Sequence, residues 1–318
     1  MFRRGPGRHV RLLRWNLESD SVEGGQWLKG RIYERRCDLS PDGSLLVYFA
    51  AKFRGPVYSW TAVSRPPWLT ALSFFPKGDC WGGGGLFDGN RVLRLNHPAA
   101  APPESEAISA AKKGKKLKRV ARYMQQSSAR PWEVPITEDG MPVLKRPEGP
   151  RNSLKLKIAE LGEHPGSGED NPILSMRLER DGWTFVTVDS NVARQGTKSA
   201  DRFWLTFDPP MRRRKPILGS GLKLQVSWHG LRERNNRWYV ETMEVLAPDD
   251  REYPFGRVDW ADIDHNGEVL YAADGKLMRL EVREDEGLIL SNVRVVADLN
   301  DMTFEEIATS DAVGVLPL

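Results

Sequence analysis

The chain contains the stretch LSPDGSLLVY at residues 39–48, and related stretches follow at residues 74–79 (FFPKGD) and 263–271 (IDHNGEVLY). In each, an apolar segment leads into a tight turn built from Pro, Asp, Asn and Gly, and a second apolar segment comes after the turn. This is the sequence pattern of a β-hairpin. A hairpin that recurs through a chain of 318 residues predicts an all-β fold made of repeated units.

The three copies resemble the repeats of TolB-like and WD-repeat β-propellers, whose units also carry a Ser-Pro-Asp-Gly-type turn between the innermost strand and the next. The resemblance implies a β-propeller fold. A WD-type blade takes about 40 to 45 residues, so the chain outside its irregular middle segment predicts five or six blades. The resemblance implies no particular activity, because propellers host both enzymes and binding scaffolds.

The copies also predict where individual strands lie. Each inner strand is expected to bury an apolar residue shortly before the turn glycine, and these equivalent residues are Leu39, Phe74 and Ile263. The copies predict strands at residues 44–51 and 57–63, at 69–75, 80–87 and 91–96, and at 258–264, 268–273 and 276–282. Further strands are expected at residues 173–178, 183–188, 202–207, 222–228 and 238–246.

The strand pattern stops between residues 97 and 151, where Ala, Pro, Ser, Lys and Glu dominate. Such a composition cannot bury enough apolar surface to offset the conformational entropy of the chain. We therefore predict first propeller blades at residues 1–96, a basic insertion or linker at residues 97–151, and the remaining blades at residues 152–318.

The insertion accounts for the net positive charge of the chain. There are 47 Lys and Arg against 43 Asp and Glu, but residues 107–132 contain basic residues and no acidic one. Lysine and arginine release counterions from a phosphate backbone, so this segment is the candidate contact for nucleic acid or another polyanion. The alternatives are a solvated segment and a docking segment for a protein partner. A second basic cluster at residues 212–215 is expected in a loop, because two prolines precede it. The candidate polyanion-binding residues of the insertion are Lys112, Lys113, Lys115, Lys116, Lys118, Arg119 and Arg122.

Cysteine usage and targeting signals indicate the compartment. The two cysteines, Cys37 and Cys80, are too few for a disulfide framework. The basic first residues lack the uninterrupted apolar core of a signal peptide, and no window reaches the ~18 apolar residues that cross a bilayer. We therefore expect a cytoplasmic protein with no membrane partner.

The sequence offers little for catalysis or for cofactors. The five histidines are scattered, and none shows the spacing of metal ligands. Glycines 82–85 lack the lysine and hydroxyl of a phosphate-binding loop, so we expect them to permit a bulge or close backbone packing. No catalytic residue, metal ligand or cofactor is predicted. Carboxylates from different blades could still meet at a propeller axis, and the candidates are Asp38, Asp79 and Asp262.

Two pairs of arginine and tryptophan indicate a binding surface. Arg65 and Trp68 precede one predicted inner strand; Arg257 lies just before another, and Trp260 lies within the start of that strand. Aromatic and arginine residues most often carry the binding energy of interfaces. We therefore predict that these four residues border the main binding surface of a non-catalytic binding module or scaffold for protein–protein interaction. The alternatives are a propeller hydrolase that acts on carbohydrate and a nucleic-acid-associated accessory factor that uses the basic insertion.

Overall fold

A computed structural model describes residues 1–53, 58–97, 99, 151–161, 170–186, 191–194, 203–232, 238–285 and 288–307 of the chain. These residues form an all-β protein, as the sequence predicts. The chain divides into two compact units. Unit 1 comprises Met1–Arg14, Glu23–Arg177 and Thr303–Leu318, and unit 2 comprises Trp15–Val22 and Leu178–Met302.

The first twelve described strands form three sheets. The strands are β1 (Phe2–Arg4), β2 (His9–Trp15), β3 (Val22–Lys29), β4 (Arg31–Ile32), β5 (Asp38–Leu39), β6 (Leu46–Ala51), β7 (Ser59–Ser64), β8 (Ser73–Pro76), β9 (Gly85–Gly89), β10 (Val92–Leu95), β11 (Arg151–Asn152) and β12 (Lys157–Glu160). The sheet orders are β1-β2-β3, then β11-β8-β7-β6-β4 with β5 also paired with β6, and β12-β10-β9. A 3₁₀ turn, Glu34–Arg36, separates β4 from β5.

The centre of unit 1 is the pair of strands β6 and β7, in which every side chain is buried. On one face, Tyr48 and Leu12 belong to the same apolar cluster. On the other face, Val47 and Phe87 belong to a second cluster. Strands that are buried on both faces need a nearly continuous apolar sequence, and LVYFAA in β6 meets this requirement.

The turn of the first copy folds as predicted. β5 and β6 pair in antiparallel fashion, and Gly43 has a φ of +68°. The Ser40 hydroxyl oxygen accepts the backbone N–H of Leu45 at 2.9 Å, while the hydroxyl donates to the carboxylate of Asp42 at 2.6 Å. Short polar side chains that bond to the backbone of their own turn therefore fix this hairpin.

The predicted burial of Leu39 is wrong, because its side chain is 50% exposed. The preceding residue, Asp38, is buried instead, and its carboxylate accepts the backbone N–H of Phe87 at 2.9 Å. Successive residues of a strand face opposite sides, so a difference of one residue exchanges the buried and exposed positions.

The second copy does not fold as one unit. β8 pairs with β7 in the large sheet, whereas β9 pairs with β10 in another sheet. The predicted pairing of residues 69–75 with residues 80–87 is therefore wrong, although Phe74 is buried as expected. Gly82, Gly83 and Gly84 all have positive φ values, so the chain leaves strand geometry where the second strand was predicted to begin.

Two of these glycines also lie directly against neighbouring groups. A Cβ atom at Gly83 would overlap the ring of Phe49, and one at Gly84 would overlap the backbone carbonyl of Arg36. The prediction of close packing at the glycine run is confirmed.

The helix and the remaining ten strands complete the described fold. They are α1 (Ile173–Arg180), β13 (Thr184–Val186), β14 (Asn191–Arg194), β15 (Phe203–Pro216), β16 (Lys223–Arg232), β17 (Tyr239–Leu246), β18 (Glu252–Val258), β19 (Trp260–Ile263), β20 (Val269–Ala273), β21 (Lys276–Asp285) and β22 (Leu288–Asp298). The strands form one sheet of order β13-β15-β16-β17-β18, with β14 also paired with β15, and one of order β19-β20-β21-β22.

The strand predicted at residues 173–178 is wrong, because these residues begin α1. Pro172 directly precedes the helix, where its missing N–H costs nothing, and the Ser175 hydroxyl donates to the Asn171 side chain at 2.7 Å. These are signals of a helix start. In the described ranges, no helix has the length and apolar character required to cross a membrane.

The basic cluster at residues 212–215 lies inside β15, so its predicted loop is also wrong. Thr206 of β15 lies opposite Gly230 of β16, and the next pair is Met211 opposite Trp228. Over this interval β15 has more residues than β16, so the register shifts. Pro209 and Pro210 therefore lie in a bulge relative to β16, which accommodates two residues without an N–H donor and does not end the strand.

The last copy folds as predicted, with β19, β20 and β21 in antiparallel order. Gly267 and Gly275 have φ values of +86° and +76°. The carboxylate of Asp264 accepts the backbone N–H groups of Asn266 and Glu268 at 2.9 Å each, which fixes the first turn. Ile263 is half-buried.

A buried arginine joins this turn to residues 15–22 within unit 2. Arg279 on β21 is 4% exposed, and its Nε and Nη1 atoms lie 2.7 Å from an oxygen of Asp20 and 2.5 Å from one of Asp264. It also donates to Glu268 and to the carbonyl of Leu17. A permanently charged side chain therefore has acceptors from two distant parts of the sequence.

The carboxylates of this cluster are held in the charged form. Burial raises the pKa of Asp264, but hydrogen bonds from Arg279 and from two backbone N–H groups outweigh burial, and the pKa lies below its ordinary value. The pKa of Asp20 is lowered in the same way, against burial, by bonds from Arg279, Arg294 and Trp15. Because these pKa values are lower in the folded state, the carboxylates stabilise unit 2 above the unfolded pKa, and this contribution is lost as the pH falls through the folded values.

Replacement of Arg279 by Ala is expected to lower the free energy of unfolding by about 3 to 5 kcal/mol at pH 7, because Asp264 would be left buried without its cation. The loss should begin to shrink below about pH 4, where the carboxylates of the unfolded chain take up protons, and it should vanish only below the lowered pKa values of the folded state. Urea unfolding between pH 3 and pH 7 measures both effects. Arg283→Ala, an exposed change on the same strand, is the control and should cost at most about 0.5 kcal/mol. An equal cost for both variants would contradict the role given to Arg279.

Replacement of Gly84 by Ala is expected to lower the free energy of unfolding by more than about 1 kcal/mol, since the position combines a φ of +81° with no room for a Cβ. Gly89 has open space at the Cβ position and lies in the same strand region, so Gly89→Ala is the matched control and should be nearly neutral. Thermal or urea unfolding of both variants makes the comparison. Equal stability of the two variants would refute the packing role of Gly84.

Candidate functional site

Arg65 and Trp68 lie in a tight turn of unit 1 that follows β7. The backbone N–H of Trp68 donates to the carbonyl of Arg65 at 2.8 Å. The side-chain oxygen of Gln26 on β3 accepts the N–H of Leu69 at 2.7 Å, and Pro67 is buried. Arg65 is exposed and Trp68 is half-buried, so the turn is fixed against β3 and presents part of the tryptophan.

Arg257 and Trp260 lie in unit 2 on either side of the connection between β18 and β19. Both are exposed, and Arg257 lies opposite Thr242 of β17 in the sheet register. Two of the four predicted binding residues thus lie in each unit, and a common surface for all four stays a prediction. The predicted polyanion-binding residues, Lys112 to Arg122, lie outside the described part of the chain.

The most exposed aromatic side chain among the large apolar residues described is Trp81, at 74%. It lies in the loop of residues 77–84 between β8 and β9, which we call the Trp81 loop. Arg36 donates from Nη1 to the carbonyl oxygens on both sides of the tryptophan, at 2.8 Å to Cys80 and 2.5 Å to Gly82. The carboxylate of Asp79 accepts the N–H of Trp81 at 2.8 Å. The exposed ring is therefore carried by a backbone that is fixed on both sides.

Arg36 belongs to the core of unit 1, although it bonds to a surface loop. Its side chain is fully buried, and its guanidinium carbon lies 4.5 Å from the ring centroid of Tyr33 and 5.4 Å from that of Phe49. Its Nε lies 3.4 Å from a carboxylate oxygen of Asp170. Cation–π contacts and carbonyl acceptors together replace the water that the charge loses. The Trp81 loop is thus attached to the centre of the unit.

Sequence reasoning missed Trp81 because it considered only the glycines next to it. The available signal was a large aromatic residue next to a run of glycines. Glycine has no side chain, so these residues cannot cover the tryptophan ring beside them. The exposure of Trp81 could not be predicted from the sequence, because most of the 11 tryptophans of this chain are expected to lie in the core.

In unit 2, polar side chains line one face of the sheet formed by β15 to β18, and two of them, Gln225 and Ser227, are buried. We call this side of the sheet the polar face, and its members are Arg212, Arg214, Gln225, Ser227, His229, Thr242, Glu244 and Arg257. His229 lies in β16 between two residues that pair with consecutive residues of β17, so it forms a bulge on that side. On the other side it lies opposite the bulge of β15. Bulges often redirect a side chain next to a functional site.

A chain of hydrogen bonds connects His229 to a carboxylate. The Thr242 hydroxyl donates to Glu244 at 2.6 Å, and the Nε2 atom of His229 lies 2.8 Å from the same hydroxyl oxygen. Because the single Thr242 proton goes to Glu244, Nε2 is the donor to Thr242. Glu244 also accepts from Ser227 at 2.9 Å and from Gln225 at 3.4 Å. Since Nε2 carries the proton of the neutral imidazole, Nδ1 is the ring nitrogen that can accept a proton.

The surroundings of His229 favour the neutral imidazole. Burial lowers its pKa, Glu244 raises it, and the nearby cations Arg212 and Arg257 lower it, so that the pKa lies below its usual range. The side chain is therefore a neutral hydrogen-bonding group near pH 7 that gains a proton when negative charge is brought to the face.

The three carboxylates considered for hydrolysis are already engaged in other bonds. Asp38 accepts the N–H of Phe87, and Asp79 accepts the N–H of Trp81, both in unit 1. Asp262 in unit 2 pairs with Lys215 at 2.6 Å. Within the described ranges, no group of three or more His, Cys, Asp and Glu side chains could hold a metal ion.

Replacement of Arg257 by Gln is expected to raise the pKa of His229, and replacement of Glu244 by Gln is expected to lower it further, because each removes a charge near the imidazole. A pH titration of the histidine ring protons by NMR measures both shifts, and His229→Gln identifies the resonance. A pKa of His229 that does not respond to either change would contradict the arrangement of the polar face.

The comparisons with known proteins give no family for this fold and site. The chain matches no protein-family model, no curated protein and no solved structure.

Proposed function

We propose that this protein is a non-catalytic binding module or scaffold that engages a protein partner, with Trp81 as the aromatic anchor of the contact. The observation that carries the proposal is a tryptophan that is 74% exposed on a loop fixed from within the core. A large apolar ring in water is costly, and burying it in a partner recovers the hydrophobic free energy.

The fixed loop strengthens this argument. Association loses affinity when loops and side chains must be ordered, and a surface that is already ordered avoids this loss. Arg36 and Asp79 hold the backbone of the Trp81 loop before any partner arrives. Tryptophan is also among the residues that most often dominate interface energies.

We further propose that the sheets are blades of a β-propeller of five or six blades, similar to TolB-like and WD-repeat proteins. One feature supports this proposal: the last copy gives an antiparallel meander of four strands, β19 to β22, which is the arrangement of strands in a propeller blade. We also propose a cytoplasmic location, which is supported by Cys37 and Cys80 being free thiols.

Replacement of Trp81 by Ala is expected to remove a protein that the wild-type chain retains in affinity purification from its native cells. Loss of a dominant anchor costs 2 kcal/mol or more, which is roughly a 30-fold loss of affinity. Trp81→Phe should keep part of the retention, because it keeps an aromatic ring.

Trp68→Ala and Trp260→Ala are the matched controls, since they alter the anchors predicted from the sequence. Circular dichroism and the unfolding midpoint confirm that each variant is folded. Full retention by a folded Trp81→Ala variant would refute the proposal. If only Trp260→Ala loses the retained partner, the contact is assigned to the surface around Arg257 and Trp260 instead.

A further inference from the structure

A row of four paired residues crosses the polar face of unit 2. Arg212 lies opposite Ser227, Ser227 opposite Thr242, and Thr242 opposite Arg257, on the adjacent strands β15 to β18. Directly paired residues point to the same side of a sheet. Two hydroxyl groups thus lie between two arginines, whose Cα atoms are separated by three strand spacings, or about 14 Å. Long side chains at the two ends can reach toward a group bound over the middle.

The carboxylates near this row already have other donors. Glu244 takes hydrogen bonds from Gln225, Ser227 and Thr242. Asp250 lies 3.5 Å from cationic nitrogens of both Arg214 and Lys223. The acidic side chains of this face are therefore satisfied without the two arginines of the row.

The two arginines of the row have no counterion in the part of the chain that the structure describes. Neither Arg212 nor Arg257 forms an ion pair with a described residue, and the buried Nε of Arg212 has no hydrogen-bond partner there. Arg213 and Arg214, on the same strand, are both paired. Both unpaired guanidinium groups are close enough to His229 to act on its ionisation. Two arginines without an ion pair to a described residue thus lie on the same face as the imidazole, and the carboxylate of that face, Glu244, is bonded to neutral donors instead of to them.

We propose that the polar face of unit 2 binds a phosphate monoester group, which is held by Arg212 and Arg257 and approached by His229. A guanidinium group matches the oxygens of phosphate with two parallel N–H donors. A phosphate monoester carries a charge of about −1.5 to −2 at pH 7, so it requires two such cations, whereas a carboxylate requires one. When the imidazole takes up a proton, Nδ1 becomes a third donor. This site is independent of Trp81 and adds a ligand to the proposed binding module.

The test uses the full-length chain and three probes, inorganic phosphate, O-phosphoserine and the phosphodiester dithymidine, at constant ionic strength set with sodium chloride. Binding is followed by the histidine ring resonances in NMR and by isothermal titration calorimetry. Inorganic phosphate and phosphoserine should bind and should raise the pKa of His229, because the bound anion favours the imidazolium. Dithymidine, with a single charge, should bind at least ten-fold more weakly.

Arg257→Gln changes an exposed side chain and is therefore the principal variant. It should weaken phosphate binding at least ten-fold and abolish the phosphate-dependent shift of His229, and Arg212→Gln should do the same if it folds. Arg251→Gln, an exposed arginine of the same unit that is paired with Asp249, is the control and should bind phosphate like the wild type. The proposal is overturned if the wild-type chain binds no phosphate, if Arg257→Gln binds it unchanged, or if the control loses binding equally. Tighter binding of dithymidine would overturn the assignment to a monoester.

Discussion

An arginine that folding removes from water keeps its positive charge and must find acceptors inside the protein. In unit 1 this residue is Arg36, which is fully buried against the rings of Tyr33 and Phe49 and reaches carbonyl oxygens of the Trp81 loop. In unit 2 it is Arg279, which is surrounded by three carboxylates. The two solutions differ in emphasis. Arg36 contacts two aromatic rings, two backbone carbonyls and one carboxylate, Asp170, whereas Arg279 has three carboxylates and the carbonyl of Leu17. Each nevertheless connects segments that are far apart in the sequence, so the packing of each unit depends on its buried cation.

The position of Arg36 links the core to the candidate contact surface. The guanidinium group that stacks near Tyr33 and Phe49 also holds the carbonyls on both sides of Trp81. The glycines that follow Trp81 let the chain pass close to Phe49 and to the Arg36 backbone. An exposed apolar ring on a loosely held loop would lose binding free energy to ordering, and here that loss is avoided by contacts that the fold needs in any case. The packing of unit 1 and the proposed contact through Trp81 thus depend on the same side chain.

The sequence predicted those features that depend on local chemistry. The turns at Gly43 and Gly267 form as expected, because short polar side chains and glycines determine a turn within a few residues. Leu39 was misplaced because a two-residue edge strand carries too little alternation to define its buried face. Pro209 and Pro210 within β15 led to the prediction of a loop at residues 212–215, since a bulge depends on the partner strand and leaves no separate mark in the sequence. The polar face could not be predicted at all, because its members come from four strands and meet only through their register.

The ion pair between Asp20 and Arg279 joins residues that are 259 positions apart, and it has a consequence for how the protein is made. Synthesis proceeds from the N-terminus at about 5 to 20 residues per second, so the segment Trp15–Val22 leaves the ribosome many seconds before its partner strand exists. During that interval Asp20 remains hydrated, and Trp15, whose ring centroid lies 5.6 Å from the guanidinium carbon of Arg279 in the folded unit, lacks that contact. The segment Trp15–Val22 therefore cannot form its contacts with β21 in the order of translation, and unit 2 is complete only after β21 and β22 have both emerged.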